Sequence, residues 1–223
     1  MNLNKHFEFF DPTSVNDEIH IIGCGAIGST IAEMLTRLGI PKLHIYDFDK
    51  VSDHNITNQM FRMKDIGKLK TEALSEILKD INPDIEIESH SGWDEFARVQ
   101  GVVFIAVDSI EIRKQIVQTY KFNPEIHFVT DCRMRLTDAQ CYAADWENEK
   151  EVQAFYNSMD FTSEEAKEST PISACGTTLS VTPTVRTIVS LCVSNFINFL
   201  KNNSHKRVIM LDAFAMNIVC FPE

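Results

Sequence analysis

The sequence predicts an α/β protein built on a doubly wound, mostly parallel sheet with antiparallel strands at its C-terminal edge. Short apolar runs alternate with segments of helical spacing over residues 18–130, which is the order that βαβ units produce. A glycine cluster directly follows the first apolar run. Two further apolar runs, at residues 207–211 and 216–221, are expected to pair antiparallel at the sheet edge.

Each predicted element has its own signal. Strands are expected at the short apolar runs 18–22, 42–46, 85–88, 102–107 and 126–130. Helices are expected where apolar side chains recur every three or four positions, at residues 27–38, 65–80, 110–120 and 183–200. The uninterrupted run at 102–107 is typical of a central parallel strand, which is buried on both faces.

The chain of 223 residues is long enough for one large α/β domain, which we expect to span residues 1–223. Between Asp145 and Glu168 there are eight acidic residues against two lysines, with little apolar periodicity. We therefore predict a long, partly flexible acidic segment at about residues 145–170.

Charge and cysteine content exclude several classes of function. With 21 basic and 32 acidic side chains, the formal charge of −11 repels nucleic acids and anionic membranes. No apolar stretch approaches the roughly 20 residues of a membrane span, and residues 1–11 lack a signal-peptide pattern, so a cytoplasmic protein is expected. Because no export signal is found, the six cysteines are expected to be reduced thiols. No two of them have C-x-x-C spacing, so a zinc site would have to use scattered ligands.

A glycine motif, G-x-G-x-x-G, lies between the first strand and the first helix. Gly23 permits a tight turn, Gly25 lets a phosphate approach the backbone, and Gly28 lets helix and strand pack closely. Asp47 follows at the end of the second strand, where a carboxylate can accept hydrogen bonds from ribose hydroxyls. The combination predicts a nucleotide site in a Rossmann-like sheet; the alternative is a tight turn that binds nothing.

The segments after Asp47 distinguish ATP-binding proteins from dehydrogenases. They read DFDKV at 47–51, NITNQ at 55–59, DIGKLK at 65–70 and INP at 81–83. Triphosphate chemistry uses such lysine and amide donors together with a metal held by carboxylate. Asp108 emerges from the end of a buried strand, where open α/β sheets place ligands, and is a candidate metal ligand.

The ordered motifs from Ile21 to Arg113 closely resemble the ubiquitin-activating-like superfamily, especially the ThiF and MoeB adenylyltransferases. The family pattern is a glycine loop, D-x-D-x-V, N-L-x-R-Q, D-I-G-x-x-K and N-P, then an aspartate before a helix that bears arginine. The resemblance implies ATP and Mg²⁺ as cofactors and a homodimer. It also implies activation of the C-terminal carboxylate of a ubiquitin-like or sulfur-carrier protein as an acyl-adenylate, with release of pyrophosphate.

By this likeness Asp47 holds the ribose, Lys70 and Asn55 hold the phosphates, Asp108 holds the magnesium ion and Arg113 supports the site. Each residue also has a structural alternative: aspartates as turn or helix caps, amides as loop braces, Lys70 and Arg113 as surface residues. The candidate cofactor-binding residues are Gly23, Gly25, Gly28, Asp47, Asp49, Asn55, Asn58, Gln59, Lys70 and Arg113, and the candidate catalytic residues are Lys70, Asp108 and Cys175.

Cys175 precedes Pro183, in the crossover loop of the resembled family, where some members carry a thiol nucleophile. A thiolate can attack an acyl-adenylate and form a thioester, because AMP is a good leaving group. No neighbouring cation in the sequence lowers its pKa. Two interpretations of Cys175 therefore stay open: a catalytic thiol and an idle, packed thiol.

The sequence departs from the family pattern in three places, and the two missing arginines favour an alternative function, a catalytically impaired binding or scaffold subunit that works with a partner chain. Asn58 stands where the family usually has arginine, no arginine occurs before Arg37, and paired C-x-x-C motifs are absent. A nicotinamide-dependent dehydrogenase is disfavoured, because no His or Lys is placed as an obvious hydride-site acid or base. Candidates to replace the missing cations are Lys5, Arg62, Lys68, Arg133 and Arg135, the last two being alternatively surface arginines.

Overall fold

The computed structural model describes residues 1–168, 172 and 179–221, except for the side chain of residue 167. Within these residues the strands are β1 Ile19–Ile22, β2 Lys42–Tyr46, β3 Glu86–His90, β4 Gly101–Ile105, β5 Ile126–Arg135, β6 Asp138–Asp145, β7 Val208–Asp212 and β8 Asn217–Phe221. The helices are α1 Ala26–Leu38, α2 Lys70–Ile81, α3 Ile110–Tyr120, α4 Glu149–Asn157, α5 Ser163–Glu168 and α6 Thr182–Asn202.

The strands form one sheet in the order β3-β2-β1-β4-β5-β6-β7-β8. Pairing is parallel from β3 through β5 and antiparallel from β5 through β8. This confirms the predicted fold class, a doubly wound, mostly parallel Rossmann-like sheet with antiparallel C-terminal edge strands. The strand order reverses between β1 and β4, which makes that place the topological switch point.

Two elements differ from the sequence prediction. The second helix begins at Lys70 instead of residue 65, because Gly67 adopts a φ of +90°, which an α-helix does not allow. Strand β6 was not predicted, since the side chains it buries are the small Ala139, Cys141, Ala143 and Ala144. Small buried residues give a weaker apolar signal than the Val, Ile and Phe of the central strands.

Apolar layers cover both faces of the sheet. Ile19 and Ile21 of β1 face a core that includes residues of α1, α2 and α6. Ile22 faces a second core, which includes residues of α3 and α4. This alternation is the period of two that strands impose. None of the helices among the described residues has the length and apolar content needed to cross a membrane.

The acidic segment contains more regular structure than its composition indicates. Helices α4 and α5 lie within it. Val152, Phe155 and Met159 are buried in the second core, so one apolar stripe holds α4 against the sheet. Partial flexibility of this segment, and the assignment of the whole chain to one domain, stay predictions.

Candidate functional site

The glycine loop and Asp108 follow neighbouring strands at the switch point. The loop comes after β1, and Asp108 comes after β4 and is exposed. The two segments are in close contact, since a Cβ added at Gly23 would lie 2.6 Å from the carbonyl oxygen of Ala106. Open α/β sheets bind ligands outside the carboxyl ends of their strands at this point, which makes it the candidate site.

The beginning of α1 has room for an anion. A Cβ added at Gly25 would meet no atom within 4 Å, whereas one at Gly28 would lie 1.8 Å from the carbonyl oxygen of Gly23. Gly25 is the N-cap residue and makes no side-chain cap, so the first N–H groups of α1 have no partner within the helix. Such a terminus attracts phosphate. The structure therefore fits a nucleotide phosphate here and assigns Gly28 to packing.

Asp47, Asp49 and Lys70 form an ionic group beside the glycine loop. Asp47 accepts hydrogen bonds from the N–H of Cys24 at Oδ2 (2.7 Å) and from the N–H of Asp49 at Oδ1 (2.8 Å). Lys70 Nζ donates to Asp49 Oδ2 (2.7 Å) and lies 3.9 Å from Asp47 Oδ2. Asp47 thus braces the turn, and Lys70, although an early helix residue, is buried and held at the site.

The three candidate amides lie on one loop with different partners. Asn55 Oδ1 accepts from the N–H (3.0 Å) and hydroxyl (2.9 Å) of Ser52. Asn58 Nδ2 donates to the hydroxyl of Ser180 (2.8 Å), in the segment before α6. The buried Oε1 of Gln59 has no hydrogen-bond partner within the part of the chain described. The unpaired Gln59 oxygen is therefore available to accept a hydrogen bond from a donor on a bound ligand.

Arg113 lies inside the protein, next to the site. Its Nη1 contacts Asp131 Oδ1 and donates to the carbonyl of Cys132 (3.2 Å). Arg133 Nε donates to Asp131 Oδ2 (2.6 Å). Burial lowers the pKa of Arg113 to about 9 and that of Arg133 to about 10. Neither arginine is a surface residue, and both depend on the fully buried Asp131 for a countercharge.

Two of the other cations expected near the site, Arg62 and Lys68, are engaged in ion pairs. Arg62 donates to Asp65 (2.9 Å) and to Asp80 (3.0 Å). Lys68 Nζ donates to Glu76 (2.5 Å). Either of them would have to leave its partner to replace the missing family arginine. Lys5 is exposed.

The sequence analysis missed two residues that the structure links to the site. Asp131 was not singled out, although Asp131 and Arg133 lie two positions apart and therefore share a strand face. Ser180 was not singled out either, since its contact with Asn58 joins distant parts of the chain. The candidate thiol, Cys175, lies outside the described residues.

The chain is similar to curated enzymes over about a third of its length. It is 49% identical over 76 residues to ubiquitin-like modifier-activating enzyme 5 of Dictyostelium discoideum, covering 34% of this chain and 20% of the relative. It is 47% identical over 73 residues to the rice enzyme of the same name (Oryza sativa subsp. japonica), covering 33% of this chain and 17% of the relative. The aligned region thus spans about a fifth of these relatives.

The fold is similar to that of E. coli MccB. Its structure with ATP superposes with a TM-score of 0.66 at 18% identity, covering 93% of this chain and 64% of MccB. Its structure with AMPCPP and MccA gives 0.70 at 17% identity, with 95% and 65% covered. A family model described as the ThiF family matches residues 14–222. Because that match spans nearly the entire sequence, the chain belongs to the ThiF family.

Proposed function

We propose that this protein binds ATP with Mg²⁺ at the switch point and adenylates the C-terminal carboxylate of a ubiquitin-like or sulfur-carrier protein. The observation that carries the proposal is the open backbone at Gly25 with Lys70 held beside the same loop by Asp47 and Asp49. Membership of the ThiF family supports it, as does the likeness to enzymes named for activating ubiquitin-like modifiers.

The charge of each group at the site determines its proposed role. The N–H groups at the start of α1 donate hydrogen bonds to the phosphates, and Lys70 moves from Asp49 to a phosphate oxygen. Asp108 would hold a magnesium ion, which would offset phosphate charge when bound. The substrate carboxylate, already ionised, bonds to the α-phosphorus while the bond to the β-phosphate oxygen breaks, so pyrophosphate leaves and no general base is needed.

Calorimetric titration with ATP, with and without Mg²⁺, tests this function and needs no protein substrate. We expect one ATP bound per chain, more tightly with Mg²⁺, and no heat from NADH. A folded sample that binds NADH and no ATP would contradict the proposal.

Lys70→Gln should weaken ATP binding about 10- to 100-fold, because one hydrogen bond to a charged group contributes about 1.5–3 kcal/mol. The matched control is Lys79→Gln, on the exposed face of the same helix, which should leave the dissociation constant unchanged. Equal affinities in the two variants would remove Lys70 from the site.

The impaired-subunit alternative rests on Asn58, whose amide is bonded to Ser180 where the family has a cation. If the family geometry holds, Asn58→Arg should tighten binding of MgATP about tenfold, since a charged donor replaces a neutral one. The same calorimetric titration measures this. Wild-type protein that binds no ATP, with binding restored in Asn58→Arg, would favour the impaired subunit.

Two further features are proposed from family likeness alone: transfer of the acyl group to Cys175 as a thioester with release of AMP, and assembly as a homodimer. A cytoplasmic location stays a proposal from the sequence pattern. The structures of MccB with MccA support a peptide or protein substrate for this fold.

A further inference from the structure

Three histidines lie side by side on one face of the sheet. His20 of β1, His44 of β2 and His90 of β3 are stacked, with ring centroids 4.4 Å and 5.8 Å apart. They point to the side opposite Ile21, whose core includes residues of α1 and α2. The register pairs His20 with His44 directly. The proposed function uses none of these side chains.

A carboxylate completes a set of ligands with two of the rings. Glu18 Oε2 lies 3.4 Å from His20 Nε2 and 3.5 Å from His44 Nε2. The three ligand atoms lie within 4.8 Å of one another. Ligand atoms around a tetrahedral zinc ion are roughly 3.3–3.5 Å apart, because Zn–N and Zn–O bonds are about 2.0–2.2 Å long. Two histidines and a glutamate are a set that zinc accepts.

One nitrogen of this set is buried without a partner. The His44 side chain is 8% exposed, and its Nε2 makes no hydrogen bond among the described residues. A buried polar atom left unpaired costs free energy. A cation between His44 and Glu18 would remove that cost.

The groups behind the two rings suit Nε2 atoms that face a metal. His20 Nδ1 is 2.9 Å from the hydroxyl of Tyr46, which can accept from Nδ1–H. The backbone N–H of Gln100 donates to His20 Nε2 at 3.5 Å, the long limit of a hydrogen bond, and a metal ion at Nε2 would replace that contact. His44 Nδ1 lies 3.4 Å from Glu88 Oε2. A carboxylate or hydroxyl behind the ring is the usual support of a zinc-bound histidine.

We infer that Glu18, His20 and His44 bind a zinc ion, with a fourth coordination position left for water. Glu18 directly precedes β1, His20 is the second residue of β1 and His44 is the middle residue of β2, whereas the candidate nucleotide site lies beyond the carboxyl ends of the strands. It is therefore a separate site, and it does not depend on the proposed adenylation.

Two other clusters of potential ligands are weaker candidates. Cys132, Cys141 and Cys192 are fully buried in the apolar core, and the hydroxyl of Thr130 contacts two of the thiols. The group of His44, Glu88 and His90 uses a carboxylate that already accepts from Lys42 Nζ (2.5 Å). Because Glu88 is already paired with Lys42, its role is better described as orienting His44 through Nδ1 than as binding the metal.

Calorimetric titration of metal-free protein with Zn²⁺, without ATP, tests the inference. We expect one equivalent bound. Glu18→Gln, at a side chain 35% exposed and therefore compatible with folding, should weaken binding more than about 100-fold, and Glu88→Gln about 10- to 100-fold. The control is His127→Gln, a half-exposed histidine paired with Asp17 (2.9 Å), which should bind as wild type does.

Three results would overturn the inference, with folding of each variant checked by circular dichroism. The first is no stoichiometric zinc binding by the wild type. The second is binding that Glu18→Gln leaves unchanged, which would point to the cysteines. The third is binding lost in His90→Gln and kept in Glu18→Gln, which would place the ion in the other histidine group.

Discussion

Asp131→Ala is expected to destabilise the protein by about 3–5 kcal/mol, because removing one partner leaves buried charges uncompensated. The Asp131 side chain is fully buried, and the side chains of Arg113 and Arg133 are only 8% and 11% exposed. Arg133 has further support from the carbonyl and hydroxyl of Ser158, whereas Arg113 also donates to the carbonyl of Cys132. The free energy of unfolding in urea measures the loss.

The matched control for Asp131 is Asp138→Ala, on the next strand. Asp138 is 52% exposed and lies 3.9 Å from Arg135, and exposed ion pairs contribute about 0–1 kcal/mol. A loss at Asp131 no larger than at Asp138 would contradict the burial argument. Asp131→Ala should also weaken ATP binding. Arg113 and Asp108 both follow β4, so a displaced Arg113 would disturb the loop that carries Asp108.

The fold was predictable where burial leaves a continuous signal. The apolar run of β4 and the glycine loop after β1 together identify a parallel sheet with its switch point. Strand β6 buries only small side chains, and Gly67 delays the start of α2 by a local backbone conformation. Such features depend on tertiary packing and on φ angles, which hydrophobic periodicity does not contain.

The candidate site, like the fold, was predictable from the sequence only in part. The sequence and the family likeness single out Asp47, Asp49 and Lys70, and the structure brings these three together. The buried pairing of Arg113 with Asp131 was not predicted, because it joins a helix to a strand and depends on how they pack. For the same reason the histidine stack follows only from the register of β1, β2 and β3.

Gly28→Ala is expected to destabilise the protein by about 3 kcal/mol or more, at the upper end of the usual cost of overpacking. Its Cβ would lie 1.8 Å from the carbonyl oxygen of Gly23 and 3.2 Å from Ile21 Cγ2. The neighbour cannot move away easily, because Gly23 has a φ of +102° and its N–H donates to the carbonyl of Tyr46 (2.8 Å). Thermal unfolding and urea titration measure the effect.

Gly25→Ala is the matched control, because it adds the same methyl group three residues earlier in the same motif. That methyl group would meet no atom within 4 Å, so stability should change by only about 1 kcal/mol, the ordinary cost of alanine at an N-cap. If a phosphate binds there, the same methyl group should weaken ATP binding about tenfold or more. Unfolding and ATP titration of the two variants therefore separate the packing glycine from the phosphate-binding glycine. Unchanged ATP affinity in folded Gly25→Ala protein would mean that the open space at the start of α1 does not hold the phosphates.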